Sequence, residues 1–122
     1  MATASAAGAP YLVPLSLAWV DDHVVIAVEQ TSLTARNLIA SGEARLGVGP
    51  TRDVVMIDAV LEQTVDVADQ ALGAAYVAQA DWDPRTSSGY VFLVLRPVRV
   101  QAWREANELA GRTLMRDGRW LD

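Results

Sequence analysis

The first part of the chain alternates between large apolar side chains and small or polar ones, with a period of two residues. The large apolar residues of this stretch are Tyr11, Val13, Leu15, Leu17 and Trp19. A period of two predicts a β-strand over 11–20. Pro14 has no N–H to donate, which places this part of the strand at a sheet edge or a bulge. The opposite face, around Pro14 and Ser16, is small enough to admit a flat ligand, although close packing against a neighbouring element explains it equally well.

The polar residues 21–23 predict a tight turn, and the continuously apolar run 24–28 predicts a buried strand that completes a hairpin with 11–20. Further strands are predicted over 45–48, 54–67 and 90–102. The tail combines a helical piece around 106–110 with a polar turn at 117–118.

Two stretches have helical spacing instead. Ala35, Leu38 and Ile39 form one apolar stripe, which hydroxyl residues precede and Gly42 ends. A second stripe runs over 68–76, with Asp66 or Asp69 as its N-cap. About six strands and two short helices, joined by short connections, predict a single mainly β domain over 1–122. Its expected architecture is a small antiparallel barrel that is closed or nearly closed.

The start of the first helix is a candidate anion site. A helix N-terminus presents unpaired N–H groups and the positive end of the helix dipole. Thr31, Ser32 and Thr34 would add hydroxyl donors and Arg36 a full positive charge, which together suit a phosphate. The alternative is that Ser32 only caps the helix and Arg36 is a solvated side chain.

Composition limits the classes of partner. Hydrophobic residues make up 52% of the chain and charged residues 20%, which is typical of a folded protein. The net charge is −5 and every basic residue is an arginine, so general nucleic-acid binding is not expected. No apolar run approaches the roughly 20 residues of a membrane span. No secretory signal pattern is present and cysteine is absent, so a cytoplasmic protein without disulfides is expected.

Residues for direct catalysis are scarce. His23 is the only histidine and lies in a predicted turn beside two aspartates, where a surface role is expected. A serine triad, a conventional zinc site and the glycine patterns of nucleotide-binding loops are all without support. We therefore identify no catalytic residue and no metal ligand, and expect that any chemistry depends on a cofactor.

The order of the segments resembles the pyridoxamine 5′-phosphate oxidase-like split-barrel family, which includes flavin- and deazaflavin-dependent reductases. The matching segments are 8–16, Trp19, 32–38, 44–46 and 54–61, and the tail from 102 through 121 is also similar to small members of this family. The resemblance implies a six-stranded antiparallel split barrel. It also implies a homodimer that binds the cofactor in the cleft between subunits, with a small-molecule substrate.

By this resemblance, the strand from Pro14 to Trp19 would pass beside the ring of the cofactor, and the segment from Ser32 to Asn37 would hold its phosphate. The cofactor-binding residues implied are Pro14, Leu15, Ser16, Ser32, Thr34, Arg36 and Asn37.

The chain departs from the family pattern at two places. Ser32-Leu33-Thr34 stands where the family commonly has Ser-x-Lys, and Arg36 is expected to compensate for the lost charge. Most relatives also carry a helix before the first strand. Here the sequence begins almost at the strand, which implies either a misassigned start or a dimer without that cover.

The sequence thus predicts an oxidoreductase that uses FMN or, as the alternative, a deazaflavin. FMN is slightly favoured because the long anionic tail of a deazaflavin calls for clustered basic residues, for which Arg45 and Arg52 are the candidates. Trp103 and Trp120 are expected either to line the cleft or to pack in a core or dimer interface. The competing hypotheses are a catalytically inactive split barrel that serves as a ligand-binding or dimeric interaction module, and a structural barrel without ligand.

Overall fold

Nine β-strands pair into one antiparallel sheet in the computed structural model, which describes residues 1–122. The strands are β1 (Ala2–Ala4), β2 (Pro10–Leu12), β3 (Ala18–Val20), β4 (His23–Glu29), β5 (Glu43–Val48), β6 (Val54–Asp66), β7 (Tyr90–Trp103), β8 (Thr113–Arg116) and β9 (Arg119–Trp120). The helices are α1 (Leu33–Ser41) and α2 (Gln70–Ala80), with short 3-10 turns at Pro84–Thr86 and Ala106–Glu108.

The strand order shows why the sheet closes on itself. The hydrogen-bonded path runs β2-β1-β5-β6-β7-β4-β3, and β8 and β9 extend it from the far half of β7. Seven strands laid flat would place β2 and β3 about 29 Å apart. Residues 13–17 connect these two strands directly and span at most about 21 Å. The sheet therefore curls into a barrel whose gap lies between β2 and β3.

The predicted strand over 11–20 is wrong at its centre. Residues 13–17 form no ladder, and only β2 and β3 at the two ends are strands. Pro14 has no N–H for a ladder bond. Val13 exchanges backbone hydrogen bonds with Met1, and the carbonyl of Ser16 accepts the hydroxyl of Tyr76 at 3.5 Å. The segment is thus held at both ends while its centre stays outside the sheet.

The local sequence predicts both ends of α1 and the start of α2. The Ser32 hydroxyl accepts from the N–H of Ala35 at 3.1 Å, and Gly42 ends α1 with φ of 75°. Asp69 is the N-cap of α2 and accepts from Leu72 at 2.9 Å. The second helix continues to Ala80, one turn beyond the predicted stripe.

Two cores explain the continuously apolar strands. The barrel interior is formed by alternate residues of β4 to β7 and by Ala35 and Leu38 of α1. The opposite faces of β4 and β7 pack against Tyr76 of α2. Because both faces of these strands are buried, their sequences do not alternate.

The strand count exceeds the six that the sequence predicts. The additional strands are short: β1 has three residues, and the tail forms the hairpin β8–β9 around the predicted turn at 117–118. The predicted helical piece near 106–110 is only a 3-10 turn.

Candidate functional site

The first turn of α1 has free hydrogen-bond donors. Ser32 uses a lone pair to cap Ala35, which leaves its hydroxyl proton available. The backbone N–H groups of Leu33 and Thr34 have no backbone acceptor, as expected for the first turn of a helix. No acidic residue lies in this turn, so its dipole is not neutralised locally. These donors suit an anion.

Arg36 adds an exposed positive charge in the first turn of the helix. Its side chain is exposed, and none of the chain's seven ion pairs includes it. Arg36 is thus accessible at the surface, and Ser32 is half-buried.

The other two predicted phosphate residues are buried. Thr34 is 3% exposed and Asn37 is 4% exposed. The Asn37 amide donates to the hydroxyl of Thr3 at 3.1 Å, which ties α1 to β1. Thr34 can therefore contribute its backbone N–H to a surface anion more readily than its side chain. Asn37 already has a structural partner.

The ladder-free segment presents a second set of unused donors. Pro14 and Ser16 are exposed, while Leu15 packs against the barrel core. The N–H groups of Leu15 and Ser16 have no backbone acceptor. Leu12 precedes them with 79% of its side chain exposed. The segment therefore combines free N–H groups with an apolar surface, which suits the edge and face of a heteroaromatic ring.

α2 holds this segment in place. The buried ring of Tyr76 lies beneath it, and burial raises the pKa of the Tyr76 hydroxyl. The side-chain amide of Gln79 binds both backbone groups of Trp19 at 2.8 Å. Neither Tyr76 nor Gln79 was predicted as a site residue; Tyr76 carried only a helical core signal, and nothing local marks Gln79.

Both predicted parts meet the same core, because Leu15 packs against the cluster that contains Ala35 and Leu38. The three cavities of about 500, 470 and 120 Å³ are lined by other residues. A ligand that contacted both predicted parts would therefore lie outside these three cavities.

The basic residues proposed for an anionic tail are already engaged. Arg45 binds Asp58 with its Nε at 2.6 Å from the carboxylate, and the neighbouring Asp58 raises the pKa of Arg45. Arg52 contacts Glu105 at 2.6 Å.

The two candidate tryptophans pack within the chain. Trp120 packs edge-on against Trp19 with ring centroids 6.4 Å apart, and the Arg112 guanidinium lies 5.0 Å from the centre of the Trp103 ring. Half of the Trp120 side chain is still exposed.

His23 begins β4 and bridges two acceptors. Its Nδ1 lies 2.7 Å from the Asp21 carbonyl and its Nε2 lies 2.6 Å from the carboxylate of Glu62. The contact of Nε2 with Glu62 lacks the alignment of a hydrogen bond. The structure contains no group of three or more side chains suited to a metal ion, and none of its helices is long and apolar enough to cross a membrane.

Comparisons with known proteins identify the fold. No family model matches the chain, and no curated protein matches its sequence. Among solved structures, an F420 reductase is 18% identical with a TM-score of 0.68, over 81% of this chain and 84% of that one. A pyridoxamine 5′-phosphate oxidase-related, FMN-binding protein from Nostoc punctiforme is 18% identical with a TM-score of 0.59, over 83% and 70%.

A heme-binding protein from Mycobacterium smegmatis is 20% identical with a TM-score of 0.72; the match covers 96% of this chain and about half, 51%, of that one. These matches show that the chain has the split-barrel fold of pyridoxamine 5′-phosphate oxidase-like proteins, as predicted. At such identities they show the fold alone.

Proposed function

We propose that the protein binds a flavin-type cofactor, FMN in the first place, between two copies of the chain, and acts as a small oxidoreductase. The observation that carries this proposal is the first turn of α1, where free N–H groups, the Ser32 hydroxyl and Arg36 occur and no residue of the turn is acidic. The named relatives that bind FMN, F420 or heme support a ligand-binding role for the fold.

The phosphate would be held by the Ser32 hydroxyl, the N–H groups of Leu33 and Thr34, and the guanidinium of Arg36. This arrangement does not need the usual lysine, because backbone donors at a helix N-terminus bind anions well. The buried Thr34 side chain would support the turn and not the ligand.

The ring would lie against residues 13–17. Free N–H groups of Leu15 and Ser16 suit its polar edge, and Leu12 and Pro14 supply apolar surface. When bound, the flavin supplies the hydride chemistry, and the chain orients it and excludes water.

A second copy would complete the site. Both ligand surfaces are open in one chain. Leu12, next to the ladder-free segment, is 79% exposed, and Ile39 on α1 is 64% exposed, so a second copy of the chain would have apolar side chains to cover.

Among the possible cofactors, FMN fits best. Arg45 and Arg52, the candidates for a long anionic tail, already form ion pairs with Asp58 and Glu105. Heme is less suited, because His23 as a ligand to its iron would have to leave Glu62 and Asp21. An inactive ligand-binding module is the second candidate, favoured by the buried Thr34 at the position of the usual lysine.

The test is a titration of the purified protein with FMN, F420 and heme, followed by fluorescence or absorbance, with the oligomeric state measured by light scattering. We expect a dimer that binds FMN at micromolar concentration. Removing the Arg36 charge in Arg36→Gln removes one charge-assisted contact, which corresponds to about tenfold weaker binding. Ser32→Gly tests the hydroxyl while retaining an acceptable N-cap residue.

Arg52→Gln is the matched control, since Arg52 is also exposed but pairs with Glu105 elsewhere. An equal loss of FMN affinity in Arg36→Gln and Arg52→Gln would show only an effect of net charge. A folded dimer that binds none of the three ligands overturns the oxidoreductase proposal. Binding of FMN without reductant-dependent turnover would favour the inactive module.

A further inference from the structure

Four arginines and one aspartate form a row across the outer face of five neighbouring strands, which we call the arginine row. It consists of Arg45 on β5, Asp58 on β6, Arg99 on β7, Arg116 on β8 and Arg119 on β9. Direct strand partners are Arg45 with Asp58, Asp58 with Arg99, and Arg116 with Arg119. Val100 pairs with Met115 in the antiparallel pair of β7 and β8. Arg99 precedes Val100 and Arg116 follows Met115, so the two arginines lie one position further along this pair.

The row lies on the solvent side of the sheet. The residues adjoining it on these strands, including Leu46, Ile57, Val100 and Met115, are buried in the barrel core. Successive side chains of a strand point to opposite faces, so the row faces outward. All four arginines are exposed, and the row spans about 19 Å at the usual strand spacing. Since α1 packs on the inner side, the row is separate from the proposed phosphate site.

The positive charge of the row is largely uncompensated. Asp58 engages Arg45 through both carboxylate oxygens, at 2.6 and 3.3 Å, and reaches Arg99 only at 4.0 Å. Arg116 and Arg119 take part in none of the chain's ion pairs. Like charges on neighbouring strands destabilise a sheet, so the row lowers the stability of the fold.

The row also stands out against the charge of the whole protein. Residues 1–95 contain four arginines and eleven acidic residues, whereas 96–119 contain six arginines and three acidic residues. At physiological ionic strength charges are screened beyond about 8 Å, so a ligand on the row responds mainly to the row itself. A long polyanion extending past it would meet the acidic remainder of the surface.

We propose that the arginine row binds an acidic segment of a partner protein. Guanidinium groups bind carboxylates through paired hydrogen bonds, and Arg45 with Asp58 shows that geometry within the row. The length of the row matches a short extended peptide of about six residues. Screening favours such a segment over a nucleic acid, whose phosphates would continue into the acidic surface. This proposal does not depend on the flavin site.

The experiment measures fluorescence anisotropy of a labelled octaglutamate peptide with the full-length protein at low and at physiological salt. The test variant is Arg99→Gln/Arg116→Gln/Arg119→Gln. We expect at least tenfold weaker binding, and weaker binding of the unmodified protein as salt rises.

The matched control is Arg52→Gln/Arg85→Gln/Arg104→Gln, which removes the same net charge from arginines paired with Glu105, Asp83 and Glu108. We expect it to bind the peptide within twofold of the unmodified protein. Circular dichroism and thermal melting establish that both variants are folded.

Three results would overturn the proposal: no peptide binding at low salt, equal loss in both triple variants, or tighter binding of an oligothymidylate of similar charge than of the peptide. FMN titration of the same samples keeps the two proposals distinguishable, since the row variant is expected to retain FMN binding.

Discussion

The side chain of Gln79 binds the backbone of Trp19 at both of its polar groups. Its Oε1 accepts the Trp19 N–H and its Nε2 donates to the Trp19 carbonyl, each at 2.8 Å. The side-chain amide of Gln79 thus forms, at the outer edge of β3, the two hydrogen bonds that a neighbouring strand would otherwise form. The residues are 60 positions apart in sequence, and the pair anchors β3 to α2 beside the ladder-free segment 13–17.

Gln79→Ala should destabilise the fold and loosen this edge. Both bonds are solvent-exposed, so we expect a loss of about 1–2 kcal/mol in the free energy of unfolding. Urea denaturation measures the change, and hydrogen exchange should show faster exchange of the Trp19 amide.

Gln70→Ala is the control, because Gln70 lies in the same helix and makes no side-chain hydrogen bond with the rest of the chain. An effect of similar size in both variants would show that the helix, and not the amide pair, is responsible.

The buried pair of Asn37 and Thr3 predicts a larger effect. Asn37→Ala removes the donor to the Thr3 hydroxyl from a site where both residues are buried. An unpaired buried polar group costs about 1–3 kcal/mol, so the free energy of unfolding should fall by about that amount.

The double variant Asn37→Leu/Thr3→Val tests the cause. Because it removes both polar partners, it should recover part of the stability lost in Asn37→Ala. No recovery would mean that packing at this position, and not the unpaired hydroxyl, dominates.

Local sequence was sufficient for the features that local physics determines. Ser32 caps the start of α1 and Gly42 ends it, as predicted, because capping depends on residues within one turn of the helix end. The long strands β6 and β7 also followed from their apolar runs. The break at 13–17 was only hinted at by Pro14, since Tyr76 and Gln79 hold it from a distant helix.

Placement of the site needed the tertiary structure. The pattern put Thr34 and Asn37 on the phosphate segment, but could not show that both side chains are buried. Arg45 and Arg52 appeared free in the sequence, whereas strand pairing and a loop contact provide each with a carboxylate. The arginine row draws on five strands, so no window of sequence contains it.

The pairing of Asp83 with Arg85 predicts that the stability of the fold decreases in acid. The Arg85 side chain, through hydrogen bonds, holds the pKa of Asp83 below its usual value. A carboxyl with a lowered pKa in the folded state stabilises the fold above its unfolded pKa, and this contribution disappears as pH falls through the folded pKa. Melting temperatures between pH 7 and pH 3 should therefore decline less steeply in Asp83→Asn than in the unmodified protein.

Asp81→Asn is the comparison. Asp81 lies two residues before Asp83 and takes part in none of the chain's ion pairs. If both variants flatten the acid decline equally, the effect comes from net charge and not from the pairing of Asp83 with Arg85.

Gly49 is expected to be the glycine least tolerant of substitution. It directly follows β5 and begins the loop 49–53 with φ of 91°, and a Cβ there would lie 2.5 Å from the carbonyl oxygen of Asp53. Gly111 has a similar φ of 79° but no atom within 4 Å of such a Cβ. Both alanine variants are destabilised by the strain of a positive φ, about 1 kcal/mol, but only Gly49→Ala must also move the backbone of the loop.

Chemical denaturation should therefore show Gly49→Ala to be less stable than Gly111→Ala by at least about 1 kcal/mol. Equal stability of the two variants would mean that the loop 49–53 shifts without cost, and that the close approach of Gly49 to Asp53 does not constrain the β5–β6 connection.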